Sequence, residues 1–213
     1  MQKNKFKSAL MATAFLGGLL TAPAYATKPQ GKDVDGYRSA QFGMTQKQVR
    51  DAIKKDFNLN NDQIESGKNL ITRTQSLSVK VNDLLPDTGE GHVSYIFGYN
   101  SEALIQVNVT WQESQETDLT AEKILGIGGS LQNYFLSQPY DFKNVVTGVK
   151  TAPDTLILFR AEDADNDLLL LLVEGLKEQG KETEAKTKPL TLKLSYQHSS
   201  DKPDIYQIPS GAF

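Results

Sequence analysis

Two stretches of helical period, each followed by three strand-like segments, predict an α+β protein. The expected plan is two similar helix-plus-three-strand halves, with an antiparallel sheet of about six strands packed on two helices. Three observations carry this. A capping box opens an apolar stripe at helical spacing, three runs then alternate with period two, and the same order of elements recurs further along.

The first helix starts at Thr45, whose hydroxyl can cap the chain while Gln48 reaches back three residues later. Met44 before the cap and Val49 after it form a hydrophobic staple. Val49, Ala52, Ile53 and Phe57 continue one apolar stripe, with Lys47, Arg50, Asp51 and Lys54 outside it. Residues 58–68 are turn-rich, and the period then changes. Leu77, Val79 and Val81 alternate with Ser78, Lys80 and Asn82, and Pro86, Asp87 and Gly89 make a turn. Val93, Tyr95, Phe97 and Tyr99 alternate next, followed by Ile105, Val107, Val109 and Trp111.

A second helix begins at Asp118 or Thr120, carries Ile124, Ile127, Leu131, Tyr134 and Phe135 on one face, and ends by Pro139. Strands are expected over 155–161, 167–174 and 190–196. Leu168, Leu169, Leu170, Leu171, Leu172 and Val173 depart from alternation, which predicts a central strand covered on both faces or one face used in a homo-oligomer contact. The charged stretch 177–188 reads as a solvated loop.

Residues 1–26 have the layout of a secretory signal peptide: Lys3, Lys5 and Lys7, an apolar run over 9–22, and Ala24, Tyr25 and Ala26 at the cleavage point. Cleavage after Ala26 would leave an extended lead-in (27–41), a first half (42–113), a second half (114–198) and a tail (199–213). The three signal lysines removed, 20 basic side chains face 26 acidic ones, a formal charge of −6. That balance, with no cluster of Lys and Arg, argues against nucleic acid. The chain has no cysteine, which removes disulfides, thiolate metal sites, a thiol nucleophile and a lipoprotein anchor together. The expected location is the periplasm or the medium, without a membrane anchor.

Candidate sites are few. Clean alternation leaves Ser78, Lys80, Asn82, Ser94, Gln106, Asn108 and Thr110 on one sheet face, a polar platform suited to a protein partner. Asp163, Asp165 and Asp167, with Glu174 eleven places after Asp163, mimic the oxygen-ligand spacing of a calcium loop. Leu168 stands where that loop needs glycine, so an acidic hairpin turn competes. Leu125, Ile127 and Leu131 keep helical period through Gly126, Gly128 and Gly129, which read as close helix packing on the sheet, or a kink, in preference to a phosphate cradle. Ser199 and Lys202 have the Ser-x-x-Lys spacing, but Pro203 forbids the helix that spacing needs. His92 and His198 are the only histidines and lack a local pattern for a base or a metal.

The segment Phe42, Gly43, Met44, Thr45, Gln46, Lys47, Gln48, Val49 resembles the helix opening of small periplasmic proteins of the SmpA/OmlA (BamE-like) kind, which help outer-membrane protein assembly. The tandem αβ plan is similar to that of the β-lactamase inhibitor protein. This chain departs from the first family in lacking a lipobox cysteine and in offering one helix where two are expected. Neither machine attachment nor inhibition is carried over.

No nucleophile motif or cofactor motif is visible, and no cofactor is expected. The expectation is a non-catalytic exported binding or accessory protein acting by protein contact. The alternative is a small-ligand binder or hydrolase whose site assembles only in three dimensions.

Overall fold

The computed structural model describes residues 33–116, 118–177, 188–209 and 211. The expected signal peptide, with its expected cleavage point after Ala26, lies outside these residues, as does 178–187 of the expected charged loop. Everything described belongs to one compact unit, 31–213.

Thr45 caps helix α1 (Gln46–Phe57): its hydroxyl accepts from the Gln48 amide, and the Gln48 side chain accepts from the Thr45 amide at 2.9 Å. Asn58 ends the helix in the left-handed conformation, a common stop. Thr120 caps α2 (Ala121–Ser137) in the same way through the Lys123 amide. The alternating runs become β4 (Gln75–Asn82), β5 (Glu90–Phe97) and β6 (Leu104–Gln112), and later β9 (Thr155–Glu162), β10 (Leu168–Glu174) and β11 (Thr191–Gln197).

The α+β expectation of about six strands is overturned. Eleven strands in two sheets occur among the described residues, and strand at 41% against helix at 19% makes the molecule mainly β. The additional strands are short. β1 (Gly36–Tyr37) and β2 (Ala40–Gln41) form a separate hairpin inside the stretch expected to be a plain lead-in. β3 (Glu65–Lys68) pairs with β4 where a turn-rich loop was expected. β7 (Lys143–Val146) and β8 (Val149–Ala152) both pair with β9 and together make one edge, broken at Gly148 with φ +69°. β3, β7 and β8 lack alternating apolar residues because edges bury little on either face, and β1 and β2, at two residues each, are too short to show a period.

The large sheet is antiparallel at every pairing, in the order β3, β4, β5, β6, β11, β10, β9, β7, with β8 also on β9. Two meanders therefore meet at the β6 and β11 pair, seven residues in unbroken register from Gln112 opposite Thr191 to Gln106 opposite Gln197. One face holds the core. Leu77, Val79, Val93, Tyr95, Phe97, Val107, Val109 and Trp111 are buried there with Leu192, Leu194, Leu169, Leu171 and Phe159. Helix α1 packs near β4, the β1 and β2 hairpin lies against β6 and β11, and α2 crosses β11, β10 and β9. Gly128 lets α2 approach closely: a methyl there would meet Leu158 Cδ1 at 2.7 Å. Phe135 on α2 stacks on Phe159 at 5.7 Å between ring centroids. The sheet is thus covered on one side by three pieces, and their joints decide where cavities form.

Candidate functional site

Period-two geometry turns the other side chains of the same strands to the opposite face. The registers line them up in rows. One row runs Lys80, His92, Thr110, Lys193, Leu172, Ile157 and Val149; the next runs Ser78, Ser94, Asn108, Ser195, Leu170, Arg160 and Val146. A third holds Ser76, Ile96, Gln106, Gln197, Leu168 and Glu162. All seven residues of the expected platform lie on this one face, with Asn82 opposite Glu90 above the first row. Both helices pack on the other side. Lys80, His92 and Asn82 are exposed, and Ser78, Ser94, Gln106, Asn108 and Thr110 are half-buried.

The polar half of the face is internally bonded. Gln106 Nε2 donates to Asn108 Oδ1 at 2.8 Å and to Ser195 Oγ at 3.2 Å; Ser195 Oγ donates to Asn108 Oδ1 at 2.7 Å; Gln197 Nε2 donates to Ser195 Oγ at 3.0 Å. Ser78 and Ser94 share a hydroxyl bond at 3.3 Å, and Lys80 lies 3.7 Å from Glu90. These bonds fix rotamers in advance of any contact, which lowers the entropy cost of binding. Toward β9 the face turns apolar through Leu170, Leu172, Ile157 and the exposed Val149. Arg160 pairs with Glu162, and Asn144 also donates to Glu162 at 3.1 Å. The Asn144 hydrogen bond, followed by Arg160, holds the Glu162 carboxyl below its usual value.

Lys193, Ser195 and Gln197 are members of this face that the sequence did not point to. They come from β11, whose adjacency to β6 spans 87 residues in the Asn108 to Ser195 bond and leaves no local trace. Their own alternation, as in Lys193 and Ser195 between Leu192, Leu194 and Tyr196, was the available signal for a face but not for its neighbours.

The acidic run forms the turn between β9 and β10. Asp163 is buried and its oxygens accept the amides of Val34 at 2.8 Å, Asp165 at 2.9 Å and Asp167 at 3.0 Å. Asp165 is exposed, and Asp167 accepts from His198 Nδ1 and from the Ser199 amide at 2.8 Å. Burial raises the Asp167 carboxyl pKa, partly countered by the Ser199 and His198 contacts. Glu174 closes the far end of β10, about 20 Å along the strand, so the structure does not bring it to the turn. Among the described residues no three His, Asp or Glu side chains converge on a metal position. His92 and His198 do not converge either: His92 sits opposite Thr110, whereas the His198 amide bonds Ile105 O, roughly 17 Å down the same strand.

No family model matches this chain, and no curated protein or solved structure matches it significantly. No described helix is long and apolar enough to cross a membrane.

Two other features bound the face. The tail crosses its lower end, where Thr74, Ile96, Gln106, Gln197, Pro203 and Ile205 enclose a hollow of about 220 Å³. The tail is clasped by Asp204, which accepts from the Asn100 amide at 3.0 Å, Asn100 Nδ2 at 2.7 Å and the Ser101 amide at 2.8 Å.

Proposed function

We propose that this chain is an exported, non-catalytic binding protein that engages another protein through the open face of its large sheet. The observation that carries the reading is the prearranged hydrogen-bonded patch of Gln106, Asn108, Ser195 and Gln197 beside the apolar residues Leu170, Leu172 and Ile157, on the side opposite both helices. An apolar centre next to an ordered polar area is the usual anatomy of a protein contact. Because β10 is hydrogen-bonded on both edges, any contact through residues 168–173 uses the outward leucines and not strand addition. The layout of residues 1–26 supports the periplasm or the medium as the location, and the absence of cysteine accords with release in solution.

The test is co-purification from periplasmic extract with the wild type and three variants. Lys80→Glu and Thr110→Arg alter the open face, and Leu125→Arg alters an exposed residue of α2 on the other side. The expected result is a co-purifying protein retained by wild type and Leu125→Arg and reduced about tenfold or more by the two face variants, with melting temperatures matched. Retention by all four proteins, or by none, rejects the open face as the contact.

A further inference from the structure

On the covered side of the sheet the pieces of the upper layer do not close completely. Where the β1 and β2 hairpin meets α2, over the middle of the sheet, a cavity of about 220 Å³ remains. Its walls are aromatic, with Tyr37 from the hairpin, Trp111 and Tyr196 from the sheet, and Tyr134 and Phe135 from α2. Leu84, Leu85, Leu131 and Leu194 complete the apolar lining. Tyr37 and Tyr196 are tilted together at 5.6 Å, and burial raises the pKa of both phenols, so these rings stay neutral and present apolar surface.

Trp111 is 2% exposed; its indole Nε1 is closed off beside Gly91, so it is the ring and not the N–H that the cavity meets. One charged side chain breaks the apolar lining. Arg38 is exposed at the rim in a left-handed conformation, φ +54°. Its guanidinium lies 4.7 Å from the Phe57 ring and, among the described residues, donates to neutral oxygens: Tyr37 Oη at 3.3 Å, Asp56 O at 3.3 Å and Leu84 O at 3.1 Å. The Asp56 carboxylate accepts from the Ser39 amide instead. A guanidinium held by its aromatic neighbour and by carbonyls keeps its full charge available for an anion.

We infer that this cavity is a binding site for a small monocyclic aromatic carboxylate, its ring among Trp111, Tyr134 and Phe135 and its acid group toward Arg38. The size agrees, because a cavity of ~150 Å³ takes up benzene and the extra volume here accommodates a short acid arm. Flat apolar walls with one cation at the rim select that shape over an aliphatic chain or a sugar, which would leave hydroxyls unpaired against the rings. The site lies on the opposite side of the sheet from the proposed protein contact and does not depend on it.

Trp111 is the only tryptophan, so uniformly ¹⁵N-labelled protein shows a single indole N–H resonance that reports on the ring lining the cavity. Titration with phenylacetate is expected to move that resonance saturably, with a Kd of about 0.1–1 mM for so small a ligand. Benzyl alcohol, the neutral comparison, is expected to bind more weakly. Leu131→Phe, which fills the cavity from α2, is expected to weaken both compounds about tenfold. Arg38→Gln is expected to weaken phenylacetate about fivefold and to leave benzyl alcohol unchanged. Absence of a saturable shift up to about 10 mM overturns the inference, as does a shift untouched by Leu131→Phe. Equal loss of both compounds in Arg38→Gln overturns the carboxylate assignment. Lys80→Glu on the open face is expected to leave every titration as in wild type, which separates this result from that of the protein contact.

Discussion

Single carboxylates hold the loops of this protein to its sheet. Asp204 joins the tail to the turn after β5: burial alone would raise its pKa, but hydrogen bonds from Ser101 and Asn100 outweigh this and bring it to about 2. An ordinary aspartate titrates near 3.9, so the folded state prefers the ionised form. The stability this contributes is fully present above about pH 4 and is lost as the pH falls through about 2. Asp204→Ala is therefore expected to destabilise the protein by about 1–2 kcal/mol at neutral pH, and the difference in denaturant midpoint should shrink below about pH 4 and go on falling through about pH 2. A difference independent of pH would mean that the clasp works by packing alone. Asp163 plays the same part for the turn after β9, where Asp163→Ala strands three backbone amides and is expected to cost about 2–3 kcal/mol in urea unfolding. The spacing of Asp163, Asp165 and Asp167 announced an acidic turn. It could not announce the Val34 amide 129 residues away, which is the contact that makes Asp163 a buried organiser.

Among the elements, those specified by neighbouring residues were legible and those specified by distant ones were not. The Thr45 and Gln48 capping box needs only four residues, and the strand alternation of β4, β5 and β6 needs eight or nine. β3, β7 and β8 have four residues each and lie at the rims, where pairing with one neighbour suffices and no buried face imposes a pattern. Missing them led to the α+β class. Helix α2 tests the reading of its glycines. A methyl at Gly126 or Gly129 meets nothing within 4 Å, whereas one at Gly128 meets Leu158 and Leu192. Gly126→Ala and Gly129→Ala are each expected to stabilise by about 0.5–1 kcal/mol, because alanine loses less backbone entropy in a helix. Gly128→Ala should show no such gain and should lower the melting temperature, since Leu158 must yield. Equal behaviour of the three in thermal melts would remove the close-packing account of Gly128.

At the scale of the molecule, the β6 and β11 seam joins everything else. It pairs strands 79 or more residues apart, from Gln112 with Thr191 to Gln106 with Gln197, so half of the open face was invisible in the sequence. The same seam carries the polar network on one side and, through Val109 opposite Leu194, core packing on the other. Seven consecutive pairs without a bulge leave no weak line between the two meanders, in contrast to the irregular pairing of β9 with β7 and β8. The large sheet is therefore expected to open as one cooperative unit. Native-state hydrogen exchange should give the Val93 and Tyr95 amides of β5 and the Leu171 amide of β10 the same opening free energy. Leu194→Ala, which empties a buried position at the seam, is expected to lower both by the same amount, about 2–4 kcal/mol. If β10 opened at a lower free energy than β5, the meanders would be separable units and the seam a docking contact, and the ordered patch of Gln106, Asn108, Ser195 and Gln197 would be lost in the partly open form.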